Sequence, residues 1–233
     1  MTNVQQNLEQ IKQRIQNASN RSNRKLEDVT LIAVTKEVSV NRTNEVMDNG
    51  VLHLGENRPE GLQKKLDAIS NISNDVQWHY IGTLQTRKVK SVINNINFLH
   101  SLDRMSLADE IEKRATSTKD CFVQVNVSQE ESKHGLPFAE VEAFIDQLKN
   151  HERIRIIGLM TMAPNTEDDS IIRDVFQRLK QLQSKIASKQ IANAPCTELS
   201  MGMSGDYEIA IEEGATFIRI GTALVGKERE GIV

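Results

Sequence analysis

The fold class that the sequence predicts is α/β, a single-domain (β/α)8 barrel of the TIM type with an extra N-terminal helix, spanning residues 1–233. Three observations predict it. Eight strand-like segments alternate with helix-like ones along the chain, the pattern of a closed parallel sheet wrapped by helices. The composition, 38% hydrophobic and 26% charged, is that of an ordinary globular protein with material for one large core. No low-complexity tract or linker-like stretch divides the alternation; polar runs such as "NISND", "ATSTKD" and "APNTEDDS" read as loops between elements. A doubly wound open sheet is the competing architecture, but it normally has fewer strands around one core.

Taken in order, the opening segment repeats Val4, Leu8, Ile11 and Ile15 at helical spacing. Strand-like segments follow at "TLIAVT" (30–35), "VLHLG" (51–55), "VQWHYIG" (76–82) and "INFLHSL" (96–102). Four more lie at "CFVQVNV" (121–127), "IRIIGLM" (154–160), "CTELS" (196–200) and "TFIRIG" (216–221). The third and the short seventh have the weakest strand pattern. Between strands the clearest helix repeats Ile172, Val175, Phe176, Leu179, Leu182 and Ile186. Little sequence follows the eighth strand, and the N-terminal helix is expected to fill that place in the outer ring.

Net charge is −3, so bulk electrostatics draws the chain to neither nucleic acid nor an anionic membrane. "MTNVQQNLEQ" lacks a signal-peptide layout, and no apolar run approaches the roughly 18 residues of a spanning helix. A cytoplasmic location is expected. Cys121 and Cys196 follow no metal-ligand spacing and read as buried free thiols. His53, His79, His100, His134 and His151 show no paired spacing either, which favours structural or surface roles over metal ligation. "TRKVK" (Arg87, Lys88, Lys90) reads as a solvated helix face, and Met160, Met162, Met201 and Met203 read as core filling as readily as cofactor packing.

In a (β/α)8 barrel, chemistry gathers at the carboxyl ends of the strands. Lys36 stands there after the first strand, Glu56 and Asn57 after the second, Asn126 near the end of the fifth. The seventh and eighth strands are followed by "SMGMSGD" and "RIGTALVG", which offer Ser200, Ser204, Arg219, Gly221 and Thr222. Glycines let backbone amides approach an anion, hydroxyls add donors, and helix starts favour negative charge. Barrels often bind phosphate at these two loops. Each feature alone is ordinary: a strand-end lysine commonly reaches solvent, and Ser/Gly loops are common turns. Together on one face, an amine and a phosphate cradle point to pyridoxal phosphate, whose aldehyde needs a lysine.

The blocks "AVTKEVS", "HLGENRPE", "WHYIGTLQTRK", "NVSQEESKHGL", "GLMTMAP" and "LSMGMSGDYEIAIEEGATFIRIGTALVG" resemble, over essentially the whole chain and in order, the pyridoxal phosphate homeostasis protein family. The resemblance implies a single barrel of the alanine racemase N-terminal type that binds pyridoxal 5'-phosphate and helps control its supply, with no established turnover. It implies that Lys36 is the Schiff-base lysine. It implies that Ser200, Ser204, Gly221 and Thr222 cradle the phosphate, that Arg219 faces the pyridine nitrogen, and that Asn57 lies close to the cofactor. The sequence departs from the family at Pro59 and Gly61, and at Arg87, which replaces a common asparagine. These changes touch the rim on which a partner surface would lie.

Arginine is a permanent donor with no acceptor, so Arg219 would favour an unprotonated ring nitrogen and weaken carbanion stabilisation. Alanine racemases share this arginine, so it does not by itself exclude catalysis. A racemase also needs a second acid/base, typically a tyrosine from a C-terminal domain. The sequence is expected to lack that domain, and neither Tyr80, within the third strand, nor Tyr207, early in the helix after the seventh, is an obvious donor. A non-catalytic cofactor carrier is therefore the expectation, monomeric, with apo-enzymes that need the cofactor as recipients and no nucleic-acid or membrane partner. The alternatives are a pyridoxal phosphate-dependent amino-acid racemase or lyase, and a cofactor-free lysine-imine aldolase.

Overall fold

The structure, a computed structural model, describes residues 3–69, 75–130 and 134–228. Most of the "NISND" loop and Glu131–Lys133 of the "NVSQEESKHGL" block lie outside these residues, as does the segment after 228. Eight strands close a parallel barrel: β1 Thr30–Val34, β2 His53–Glu56, β3 Gln77–Tyr80, β4 Phe98–Leu102, β5 Lys119–Asn126, β6 Ile154–Met160, β7 Glu198–Ser200 and β8 Phe217–Ile220. Each pairs with its sequence neighbours, and β1 pairs with β8 to complete the circle. The two-residue strand Leu136–Pro137 adds to the end of β5. All eight expected strands form, including the weakly patterned third and seventh, and β5 begins at Lys119, two residues before its apolar run.

Nine helices are described: α1 Asn3–Arg21, α2 Val40–Asp48, α3 Pro59–Ala68, α4 Val89–Val92, α5 Met105–Arg114, α6 Val141–Gln147, α7 Asp169–Ala187, α8 Tyr207–Glu212 and α9 Thr222–Val225. The place of α1 matches the expectation. Its apolar face is buried, and it packs on α8 and α9. Asn7 donates to the Leu224 carbonyl at 3.0 Å, while Arg14 and Arg21 pair with Glu208 and Glu212. These exposed pairs orient the helix more than they stabilise it; the buried Val4, Leu8, Ile11 and Ile15 contribute the energy, about 1.5–3 kcal/mol for each fully buried large side chain.

Strand alternation divides the core in two. Leu54, Leu99, Val123, Leu159 and Ile218 face the helices in the large outer core. Ile32, Phe122, Ile157, Met160 and Phe217 form a small inner core inside the barrel. A register shift between β5 and β6 at Cys121/Phe122 adds Ile157 to that interior. Cys121 and Cys196 are buried free thiols, as expected; burial pushes the Cys196 thiol up to about 12 and Cys121 higher still, which leaves both inert. No helix among the described residues is long and apolar enough to cross a membrane.

Candidate functional site

The site begins with register. Ile32 of β1 pairs with Arg219 of β8, and Ala33 with Ile220, so Gly221 falls beside Val34. A Cβ on Gly221 would lie 3.7 Å from that of Val34. Thr35 donates its amide to the Gly55 carbonyl at 3.0 Å, and Lys36 follows at the rim. Lys36, Gly221 and Thr222 thereby line one cleft of about 260 Å³, with Glu37, Lys227 and Glu228 at its edge. The Lys36 side chain is 40% exposed, its Nζ 3.9 Å from Glu37 Oε1. Glu228 is held by the Ser39 amide at 2.6 Å and its hydroxyl at 2.7 Å. Helix α9 starts at Thr222, and the first amides of any helix have no acceptor within it.

Beneath this mouth, inside the barrel, lies a different pair of expected residues. Arg219 is buried; it donates from Nη1 to Ser200 Oγ at 2.5 Å and from Nη2 to the Thr161 carbonyl at 2.9 Å. Burial pulls the guanidinium down to about 10, partly offset by the charge of Asp206, so it stays cationic at neutral pH. Ser200 is fully buried, and its hydroxyl is engaged by Arg219 and by His100 Nδ1 at 2.8 Å. From the sequence, Ser200 is expected among the cradle residues with Thr222. The structure separates them, because Ser200, the last residue of β7, points into the barrel rather than up from the loop.

Ser204 is exposed on the β7–α8 loop. Gly202 shapes that loop. Its φ is +94°, and a Cβ there would stand 2.6 Å from the Ala210 Cβ, so only glycine fits unstrained. The Met203 amide donates to Asp206 Oδ1 at 2.6 Å, and burial raises the Asp206 carboxyl above its ordinary range. Asn57 lines a neighbouring cleft with Arg58, Glu60, Tyr80, Thr83 and Arg87, not the Lys36 cleft. Gly82 brings the two loops of that cleft together: a Cβ on it would meet the Asn57 carbonyl at 2.3 Å. In the "TRKVK" segment Arg87 bonds Gln85 and Lys88 pairs with Glu60, while Lys90 is exposed.

Two constellations escaped sequence reading. Lys65 of α3 donates to the Thr35 carbonyl and pairs with Glu56, and Thr35 Oγ1 donates to Glu56 Oε1 at 2.6 Å. Lys65 sits in "QKKLD", which resembles any solvated helix face, and no local signal marks it as buried. His53, His79 and His100 gather inside the barrel, where burial holds each ring below the ordinary histidine range. Their presence in predicted strands was legible, but not their shared inward side. Among the described residues no group of histidine, cysteine or carboxylate side chains is arranged to hold a metal.

Residues 6–229 match the family model for the alanine racemase N-terminal domain. The chain is 36% identical over 230 residues to the pyridoxal phosphate homeostasis protein of Aquifex aeolicus, covering 97% of this chain and 99% of that one. Among solved structures it is similar to PipY of Synechococcus elongatus PCC7942 with PLP bound, at TM-score 0.80 and 30% identity, covering 93% of this chain and 100% of PipY. The alanine racemase of Clostridium difficile 630 shares the fold, at TM-score 0.77 and 15% identity, covering 99% of this chain and 58% of the racemase.

Proposed function

The chain belongs to the alanine racemase N-terminal-domain family and, within it, to the pyridoxal phosphate homeostasis proteins, and from that premise we propose that it binds pyridoxal phosphate in the Lys36 cleft and keeps the cofactor available without turning over a substrate of its own. The observation that carries this reading is that Lys36, Gly221 and Thr222, from opposite ends of the sequence, line one cleft. The donor set fits the cofactor: an amine at one wall, a hydroxyl and helix-start amides at the other, and a buried cation below. When bound, pyridoxal phosphate supplies an aldehyde that a lysine amine can hold covalently, and a ring that can draw electrons.

In this reading Lys36 is the covalent anchor. Thr222, Gly221 and the α9 amides take the phosphate from one side, and Ser204 takes it from the β7–α8 loop. Arg219 is the donor-only group assigned to the ring nitrogen, favouring its unprotonated form. Ser200 acts through Arg219 rather than on phosphate, and Asn57 contributes from the adjoining cleft. The absence of turnover is supported by the family's homeostatic naming and by the tyrosines: neither Tyr80 nor Tyr207, the only two in the chain, lines the Lys36 cleft. The protein would then be a monomeric cytoplasmic carrier that serves apo-enzymes.

The test uses the purified protein loaded with pyridoxal phosphate. Borohydride reduction followed by peptide mass spectrometry is expected to find the cofactor on Lys36, and Lys36→Ala is expected to remove the visible absorbance with the barrel intact. Label on another lysine overturns the assignment. Incubation with L-alanine, L-serine or L-lysine in deuterated water is expected to give no more α-deuterium than free cofactor does. Multiple turnover with inversion, lost in Lys36→Ala, overturns the carrier reading in favour of a racemase. Transfer to an apo-enzyme, followed by recovered activity, separates delivery from storage.

A further inference from the structure

Three histidines on adjacent strands stand in a line through the barrel. His53 Nδ1 lies 2.9 Å from His79 Nε2, and His79 Nδ1 lies 2.9 Å from His100 Nε2. His100 Nδ1 is 2.8 Å from Ser200 Oγ, which is 2.5 Å from Arg219 Nη1. His79 and His100 are fully buried, and His53 is partly buried. Phe98 stacks on His79 and Phe122 on His100, each with 4.4 Å between ring centroids. The titratable groups joined in this line are the three histidines and Arg219, with Asp206 coupled to the arginine. The apolar side chains around them are Ile32, Phe98, Phe122, Ile157, Met160 and Phe217, and the paired Asp120 and Arg155 line a cleft beside Phe98.

The direction of the chain follows from donor counting. A guanidinium only donates, so Ser200 Oγ accepts from Arg219. The serine then has one proton to give, and His100 Nδ1 is in place to accept it. A neutral imidazole has one donor and one acceptor nitrogen. His100 therefore donates from Nε2 to His79 Nδ1, and His79 donates from Nε2 to His53 Nδ1. The opposite direction would turn His100 Nδ1 into a second donor to Ser200 and deprive the buried serine proton of its acceptor. A cationic ring at His79 would set its Nδ1–H against the His100 Nε2–H, and one at His100 would set its Nδ1–H against the serine proton.

We propose that His53, His79, His100 and Ser200 form a one-way hydrogen-bond relay of neutral Nε2–H histidines whose task is to position Arg219. With Ser200 on one Nη and the Thr161 carbonyl on the other, the guanidinium is oriented before any ligand arrives. The three histidines and Ser200 are positioning residues, since they act on the mouth through Arg219. The relay itself stands on geometry alone; its bearing on a cofactor ring rests on the function proposed above.

The test is nitrogen NMR of the imidazoles in ligand-free protein at neutral pH. A bare Nδ1 and a protonated Nε2 are expected in all three rings. His100→Gln keeps an acceptor toward Ser200 and a donor toward His79, and is expected to preserve the single His79 tautomer. His100→Leu removes both, and is expected to leave His79 as a mixture of tautomers. A protonated Nδ1 on native His79 or His100, or an unchanged His79 signal in His100→Leu, overturns the relay. If the leucine variant does not fold, the native spectrum decides alone. No cofactor is present, so a failure of the cofactor assignment leaves this result unaffected.

Discussion

Lys65 donates a hydrogen bond from Nζ to the carbonyl oxygen of Thr35, the residue immediately before Lys36. The same amine pairs with Glu56, whose other oxygen, Oε2, is buried without a partner among the described residues. Amine, carboxylate and the Thr35 hydroxyl thus converge behind the rim and fix the backbone that presents Lys36. Removing one member of a buried pair strands the other, at about 3–5 kcal/mol. Lys65→Met is expected to lower stability by that amount in urea denaturation. Adding Glu56→Gln to it is expected to recover part of the loss, because no charge is then left buried. Equal stability of Lys65→Met and the native protein would mean that this cluster is wet.

Thr222 and Ser200 are expected to separate in their effects. A charge-assisted hydrogen bond to phosphate contributes about 1.5–3 kcal/mol, and each 1.4 kcal/mol is about a decade in affinity. Thr222→Ala should therefore speed loss of pyridoxal phosphate in dialysis by about tenfold or more, with folding stability almost unchanged at this exposed position. Ser200→Ala should instead destabilise the apo-protein, because it leaves buried donors of Arg219 and an acceptor of His100 unmatched. The opposite pattern would put Ser200 in the cradle.

Acid should destabilise the barrel from within. Burial holds His79 and His100 well below the ordinary 6.5, the charge of Arg219 adding to the effect on His100, and burial also lowers His53. The unfolded chain takes up protons first as pH falls, so this stability is complete above about pH 6.5 and is lost progressively below it. The slope is up to about 1.4 kcal/mol per pH unit for each histidine still neutral in the fold. Urea midpoints at pH 7, 6 and 5 check this, and His100→Gln should flatten the decline by one proton. A flat native profile over that range would mean the rings titrate normally.

Gly202 cannot be exchanged quietly. Its φ of +94° and the 2.6 Å approach to the Ala210 Cβ oppose any side chain. Gly202→Ala is expected to reduce stability by about 1–3 kcal/mol, read by thermal denaturation. It is also expected to weaken cofactor retention, since the same loop carries Ser204. Gly205→Ala, where a Cβ meets nothing within 4 Å, is the control and should leave stability almost unchanged.

Strand alternation was legible because apolar runs such as "TLIAV" and "FIRI" report burial wherever they occur in space. From those runs alone follow the eight strands, the closing role of α1, and the placing of Lys36, Gly221 and Thr222 at one rim, since a parallel barrel sends every strand end to the same mouth. The inward or outward side of each polar residue was not legible. It depends on register, and a shift of one residue reverses it. Tertiary structure therefore decided that Ser200 and Arg219 lie beneath the mouth rather than on it. It also turned Lys65 from an ordinary helix lysine into the buried partner of Glu56. His53, His79 and His100 are 26 and 21 residues apart in sequence, a spacing without periodic meaning. They meet because the register sets His53 opposite Gln77 and His79 opposite Phe98, so each histidine stands two residues further along its strand than the last and touches the next ring on the diagonal, a juxtaposition that exists only once the strands have paired.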